Sequence, residues 1–191
     1  ATSLTDANYL EVGAHVESAF AGVGGIGFEL TDVDFGMVMV SSGGTTPVNY
    51  MALKADVGEA GLVGITGLEA TVTSLSVLVN KTSSTTAPTV VLDFNPLAHA
   101  VATGPSPAPA VTLDMDGAEG PLLQVQSNLT LDVFGFVTLE GSFSFKKAIG
   151  TFPLSDTTSL TDANYLEVGA HVESAFAGVG GIGFELTDVD R

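Results

Sequence analysis

Residues Thr2–Asp34 read TSLTDANYLEVGAHVESAFAGVGGIGFELTDVD, and the same 33 residues return without a substitution at Thr158–Asp190. The two copies are 156 residues apart (158 − 2). The chain therefore reads as one complete repeat unit, residues 2–157, followed by the start of the next identical unit, residues 158–190. Identical neighbouring units are typical of structural repeat proteins, in which each unit covers a surface of the next.

The repeated stretch also predicts the fold class. Apolar and polar residues alternate along it, as they do in a β-strand with one apolar face. Within Tyr9–Phe20, the residues predicted to share the apolar face are Leu10, Val12, Ala14, Val16 and Phe20. The same period of two runs through Leu123–Val133 and Val137–Phe145, and helical periodicity is almost missing. The sequence therefore predicts an all-β protein.

A weaker repeat lies inside the 156-residue period. Tyr9–Val40, Tyr50–Asn80 and Leu122–Lys147 each read as a strand, a glycine-containing bend and a second strand. Each element has an apolar face that it cannot bury alone, so stacking of the elements is expected to form the core. The junction Ala148–Leu160 is too apolar for a flexible linker, which predicts that successive units pack together. These features favour a β-solenoid or another continuous elongated β-sheet repeat, with tandem β-sandwich modules as the alternative.

The charge balance narrows the classes of partner. The chain has 22 acidic and five basic residues, a net charge of −17, and no cysteine. Phosphate binding needs Lys and Arg, so nucleic acid is not an expected partner. Such an acidic surface suits calcium or high salt, and it keeps a long array soluble. No apolar run approaches the roughly 20 residues of a membrane span, so no transmembrane segment is predicted.

Three longer stretches carry a family resemblance. They read YLEVGAHVESAFAGVGGIGFELTDVDFGMV from Tyr9, YMALKADVGEAGLVGITGLEATV from Tyr50, and LTLDVFGFVTLEGSFSF from Leu129. Together they resemble the Gly-rich β-repeats of giant bacterial surface and adhesin-like proteins. The resemblance implies a secreted, repetitive, surface-exposed chain. The G-G-x-G-x-D nonapeptide of the calcium roll is missing, so calcium binding does not follow from the resemblance.

No motif points to catalysis. Gly22–Gly27 matches G-x-G-x-x-G, but an alternating strand follows it, whereas a dinucleotide site needs a helix there. A glycine bend between strands is therefore predicted. His15, its copy His171 and His99 have no recognisable nucleophile or catalytic motif beside them. We expect surface histidines and a protein that is not an enzyme.

Two groups of carboxylates are candidate calcium ligands. Asp114, Asp116 and Glu119 surround a glycine turn, where their oxygens could converge on one hard cation. Asp32 and Asp34 are alternate residues of a strand and share one face, which brings like charges together unless a cation lies between them. Solvated acidic side chains without an ion are the alternative in both places.

Asn80-Lys81-Thr82 and Asn128-Leu129-Thr130 match the N-glycosylation acceptor pattern. Asn80 is predicted at the end of a strand that enters a polar loop, which would make its side chain accessible. Asn128 is predicted on the polar face of a strand. Asn80 is therefore the favoured acceptor.

The leading hypothesis is a structural repeat unit of an extracellular or cell-surface filament, stalk or adhesin, without chemistry of its own. Its partner would be itself, since neighbouring units would associate end to end through β-strand packing. The alternative is a repeated cell-surface or carbohydrate-binding module, displayed many times for avidity. Its site would lie in the loops Ser41–Val48 and Ala102–Val111, but tryptophan, a common sugar-stacking residue, is absent.

Overall fold

The computed structural model describes residues 6–190, with Val189 and Asp190 described by their backbone only, so the first residues of the Thr2–Asp34 repeat lie outside it. Over residues 6–190 the chain is all-β, with one 3-10 turn at Gly117–Glu119. No helix that could span a bilayer occurs among these residues. The strands are β1 Asn8–Val23, β2 Ile26–Ser41, β3 Asn49–Val63, β4 Leu68–Thr82, β5 His99–Ala102, β6 Ala110–Leu113, β7 Leu122–Val133, β8 Val137–Pro153, β9 Ser159–Val179 and β10 Ile182–Asp190.

Eight of these strands form one antiparallel sheet in the order β1-β2-β3-β4-β7-β8-β9-β10. Neighbours in the sheet are neighbours along the chain, apart from the insertion between β4 and β7. The three predicted strand–bend–strand elements are the hairpins β1–β2, β3–β4 and β7–β8. They lie side by side in one open sheet and, within residues 6–190, do not coil into a solenoid. Short hairpin turns impose this arrangement, because consecutive antiparallel strands pair directly.

The predicted glycine bend is a two-residue hairpin turn. Gly24 and Gly25 connect β1 to β2 with φ angles of 63° and 83°, and the copies Gly180 and Gly181 adopt 58° and 81°. Two successive positive φ angles are what tight hairpin turns require, and glycine adopts them without a steric penalty. The G-x-G-x-x-G match is therefore a turn between strands.

Residues 83–121, which we call the lobe, lie between β4 and β7 and carry the small β5–β6 hairpin. This hairpin packs across β1, β2 and β3 on one face of the sheet. Gly13 in β1 and Gly36 in β2 allow the close approach, since a Cβ atom at Gly36 would lie 2.8 Å from the Val111 Cβ. The buried core lies between lobe and sheet, and its members are Val38, Ala52, Val101, Val111, Leu113, Met115, Leu122 and Ala148.

The opposite face of the sheet is not covered by any described element. Successive strand residues point to opposite faces, so the neighbours of Gly13 and Gly36 face away from the lobe. The set, here called the apolar face, consists of alternate residues from Leu10 to Val16, Val33 to Met39, Met51 to Val57, Leu75 to Val79, Leu123 to Val125, Phe143 to Phe145 and Leu166 to Ala170. Two cations lie in line with it: Lys81, opposite Met51, and Lys147, between Leu123 and Leu166.

The apolar residues switch from one set of alternate positions to the other at a single row of cross-strand neighbours, which runs across β1 to β4. In β2 the apolar positions are odd from Val33 to Met39 and even from Ile26 to Leu30, with Asp32 between them. Asp32 has a φ of 55°, and Ser74, at the corresponding row of β4, has 53°. A left-handed residue interrupts the two-residue alternation of a strand. The interruption allows the strand to keep its apolar residues on one face, although their positions in the sequence switch between odd and even numbers.

Candidate functional site

The junction between the two repeat units is a continuation of the sheet. β9 begins the second copy, and it pairs with β8, the last strand of the first unit. The pairing extends from Val137 opposite Ala177 to Pro153 opposite Ser159. A short turn joins them, closed by the Leu154 N–H donating to the Thr158 carbonyl at 2.8 Å. The predicted apolar junction is therefore a hairpin and not a linker.

β1 occupies the other end of the sheet and has the same sequence as the strand that β8 binds. Among the described residues it pairs with β2 alone, which leaves its outer edge open. Large side chains along it are exposed, including Tyr9 at 56% and Phe20 at 51%. Natural edge strands are often protected by lysine, proline or a bulge. β1 has neither lysine nor proline, so it presents a long strand ready for pairing.

A polar contact fastens the lobe to β1. The carboxylate of Glu11 lies 2.8 Å from Nε2 of His99 in the lobe, and the Tyr9 hydroxyl also donates to it. These hydrogen bonds lower the pKa of Glu11 below its ordinary value, the Tyr9 bond contributing most. The copy of Tyr9 in β9 has different partners. Tyr165 packs against the buried core and edge-on against Phe152, with ring centroids 5.3 Å apart.

The first predicted calcium group is distributed among separate partners. Asp114 lies 3.6 Å from Lys54 Nζ, and Glu119 lies 3.0 Å from Lys146 Nζ. The Asp116 carboxylate accepts the Ala118 N–H at 2.8 Å and caps the 3-10 turn. Among the described residues, these three carboxylates do not converge on a common point. The contacts of Asp114 and Glu119 brace the lobe against the sheet.

The second predicted group is brought together, and it includes a histidine. His15, Asp32 and Asp34 offer ligand atoms that all lie within 4.8 Å of one another. His15 Nδ1 and Asp34 Oδ1 are 3.0 Å apart. Asp34 lies directly opposite His15, and directly opposed cross-strand residues lie closer than alternate residues of one strand, such as Glu17. The signal that could have found Asp34 is the β1–β2 register, which places it opposite His15.

This donor set would suit a cation in chemical terms. Carboxylate oxygens are ligands for Ca²⁺, whereas an imidazole nitrogen beside two carboxylates is a set that Zn²⁺ accepts. In the copy, His171 Nε2 lies 4.0 Å from Asp188. The side chain of Asp190, which would complete the copied group, is outside the described residues. Cation binding at Asp32 and Asp34 stays a prediction.

Asn80 is placed differently from the sequence prediction. Its side chain is only 1% exposed, and its Nδ2 donates to the Leu92 carbonyl of the lobe at 2.7 Å. The lobe covers the end of β4, which the sequence pattern could not show. Asn128, predicted to be the less accessible of the two, is the exposed one. The folded chain does not present Asn80 for glycosylation, so that prediction is corrected.

Comparison with protein-family models, with curated proteins and with solved structures gave no match. The features that bear on function are therefore the exact repeat, the two ends of the sheet and its two unlike faces.

Proposed function

We propose that the chain is a structural repeat unit of an extracellular filament, stalk or adhesin, without catalytic activity, and that units continue end to end by β-strand pairing. The observation that carries this proposal is the β8–β9 pairing across the repeat boundary. The second unit begins as the next strand of the first unit's sheet. A repeat whose boundary is a hydrogen-bonded strand pair extends the sheet with every added unit.

Both ends of the sheet fit this continuation. The open edge of β1 has the sequence that β8 pairs with inside the chain. The outer edge of β10 has the sequence of the first part of β2, which pairs with β3 in the first unit. Each end therefore has a defined partner strand within the same repeat. The high negative charge suits a long array, because like charge keeps such an array soluble.

The test is to remove the second copy. A fragment of residues 1–157 loses β9 and β10, which leaves β8 open at one end and β1 open at the other. Because these edges are complementary, the fragment should associate head to tail, whereas the intact chain has its β8 edge filled by β9. Sedimentation velocity of both proteins measures the difference. A 1–157 fragment that is monomeric and as stable as the intact chain would contradict the proposal.

The register of the association is also fixed in advance. Phe143 pairs with Ala170, which is the copy of Ala14 (170 − 156). Since the chain has no cysteine, a 1–157 fragment carrying Phe143→Cys should form a disulfide with one carrying Ala14→Cys. A fragment carrying Val12→Cys is the matched control, because that position is about 7 Å out of register on the same face. Equal cross-linking of both would indicate non-specific aggregation.

A further inference from the structure

The two faces of the sheet are covered in an unusual way, because the lobe does not lie on the more apolar face. An antiparallel sheet commonly packs its apolar face on the core and leaves its polar face in water. Here the lobe covers part of the face that carries Glu11, His15 and Asp34, and no described element covers the apolar face. Val12 and Met39 are each 38% exposed, and Val168 is 69% exposed. Exposed apolar patches of this kind mark interaction surfaces.

The acidic residues of the chain lie off this face. None of the 22 acidic residues belongs to it. Lys81 lies at the end of β4 beside Met51, and Lys147 lies toward the β9 side. The long stem of each lysine can carry its ammonium group into solvent. Two copies of the face could therefore approach without bringing carboxylates together, while the acidic groups of both chains point outward.

The dimensions are those of a stable interface. The seven strand segments that form the face, with a rise of about 3.3 Å per residue and a spacing of about 4.8 Å between strands, give a projected area on the order of 600 Å². Stable protein interfaces bury about 800 Å² on each partner. In one row of the face large and small side chains alternate, since Phe35 lies between Ala14 and Ala55. Such alternation suits interdigitation of two sheets about 10 Å apart.

A second copy of the same unit is the occupant that the repeat favours. Open twisted sheets rarely exceed about 10 strands without curling or splitting into two packed sheets. The chain already forms an eight-stranded sheet, and each further unit would add six strands. Curling of the sheet would keep the strand pairing at the repeat boundary and bring the apolar faces of two units against each other.

We propose that the apolar face is an isologous interface, through which two copies of this unit pack face to face as the two layers of a β-sandwich. The interface is centred on the paired residues Val77 of β4 and Val125 of β7, near which a two-fold axis would pass. This inference stands apart from end-to-end continuation, because it uses the face of the sheet and not its edges.

The experiment is a charge substitution at the centre of the face in the intact chain. Val77→Glu should weaken the dimer at least about a hundredfold, because it buries an unpaired carboxylate in the interface. Gln126→Glu adds the same charge to the opposite face and should leave the dimer unchanged. Sedimentation equilibrium over the micromolar range gives the dissociation constants. Added salt should tighten the wild-type dimer, since it screens the repulsion between two highly acidic chains.

A second measurement keeps the test valid if Val77→Glu does not fold. Val77→Cys changes little in volume and, by short-range cross-linking, should give a covalent dimer, while Gln126→Cys should give none. A monomeric wild-type chain, or equal cross-linking at both positions, would overturn the proposal. So would binding to phosphatidylcholine vesicles through Val77 without self-association. If the intact chain dimerises through Val77 but the 1–157 fragment does not associate end to end, only the end-to-end proposal fails.

Discussion

At the scale of single residues, the repeat places the same amino acid in two surroundings. Gly13 lies beneath the lobe, where a Cβ atom would collide with the carbonyl oxygen of Ala102. Its copy Gly169 lies in β9 without a lobe above it, and there a Cβ atom would meet the Ser144 hydroxyl at 2.6 Å. A hydroxyl can rotate away, whereas a backbone carbonyl cannot. The local sequence is identical at Gly13 and Gly169. A comparison of the same substitution at both sites therefore separates the effect of packing from the effect of strand propensity.

The pair gives a matched prediction. Gly13→Ala should lower the free energy of unfolding by about 1 to 3 kcal/mol through overpacking. Gly169→Ala should change it by less than about 1 kcal/mol, since alanine suits a strand better than glycine does. Urea unfolding of both variants, followed by circular dichroism, measures the difference. Equal effects at the two sites would mean that the lobe does not press on β1.

A second residue-scale prediction concerns Asp93. Its carboxylate accepts the N–H groups of Gly117 at 3.0 Å and Asn95 at 3.1 Å, which lowers its pKa, the Gly117 bond contributing most. A folded-state pKa below the unfolded value stabilises the fold above the unfolded pKa. That contribution is lost as the pH falls through the folded-state pKa.

Asp93→Asn should therefore lower the urea midpoint most at neutral pH, and the difference from wild type should shrink below about pH 4, the ordinary range of a free aspartate. Urea titrations at neutral and acidic pH test this. A difference that stays constant with pH would show that the carboxylate charge is not what the two N–H groups stabilise.

At the scale of elements, the hairpins were predictable and their arrangement was only partly so. Period-two alternation and glycine bends locate β1–β2, β3–β4 and β7–β8, because both signals depend on local backbone geometry. The burial of Asn80 and the partner of Glu11 depend on where the lobe folds back, and that is a long-range contact. The phase change at Asp32 was visible in the sequence, but interpreting it requires the aligned rows of neighbouring strands.

The row of the phase change carries a prediction of its own. Ser74 has a φ of 53°, which is costly for a β-branched side chain. Ser74→Val should destabilise the fold by about 1 to 2 kcal/mol, and Ser74→Gly should be neutral or stabilising. Thr73→Val, one residue away and without a positive φ, is the control and should be tolerated. Thermal unfolding of the three variants measures this, and a tolerated Ser74→Val would argue against the left-handed conformation.

At the scale of the whole molecule, the sheet exposes its apolar face, which neighbouring units of an array could cover. A chain lengthened by one further 156-residue unit would have two copies of the apolar face. If the sheet curls between them with the β8–β9 pairing kept, these faces should pack within one chain, because the tether makes the contact intramolecular. We expect the longer chain to be monomeric at concentrations where the present chain dimerises.

Sedimentation velocity and small-angle scattering of the longer chain check this expectation. A compact monomer is the expected result, and its stability should exceed that of the present chain, since it buries more apolar surface per residue. A flat, extended particle that still self-associates through Val77 would contradict packing within one chain.

The hairpin turn at the repeat boundary also has a genetic consequence. The duplicated stretch keeps the same strand register in both copies. His15 lies opposite Asp34 in the first copy, and His171 lies opposite Asp190 in the second. Unequal crossing-over anywhere within that stretch would add or remove six whole strands and leave every remaining pair intact. Alleles could then differ in length by multiples of 156 codons while each encoded protein still folds. Selection for a longer or shorter array could then change the number of units. No new pairing surfaces would have to evolve.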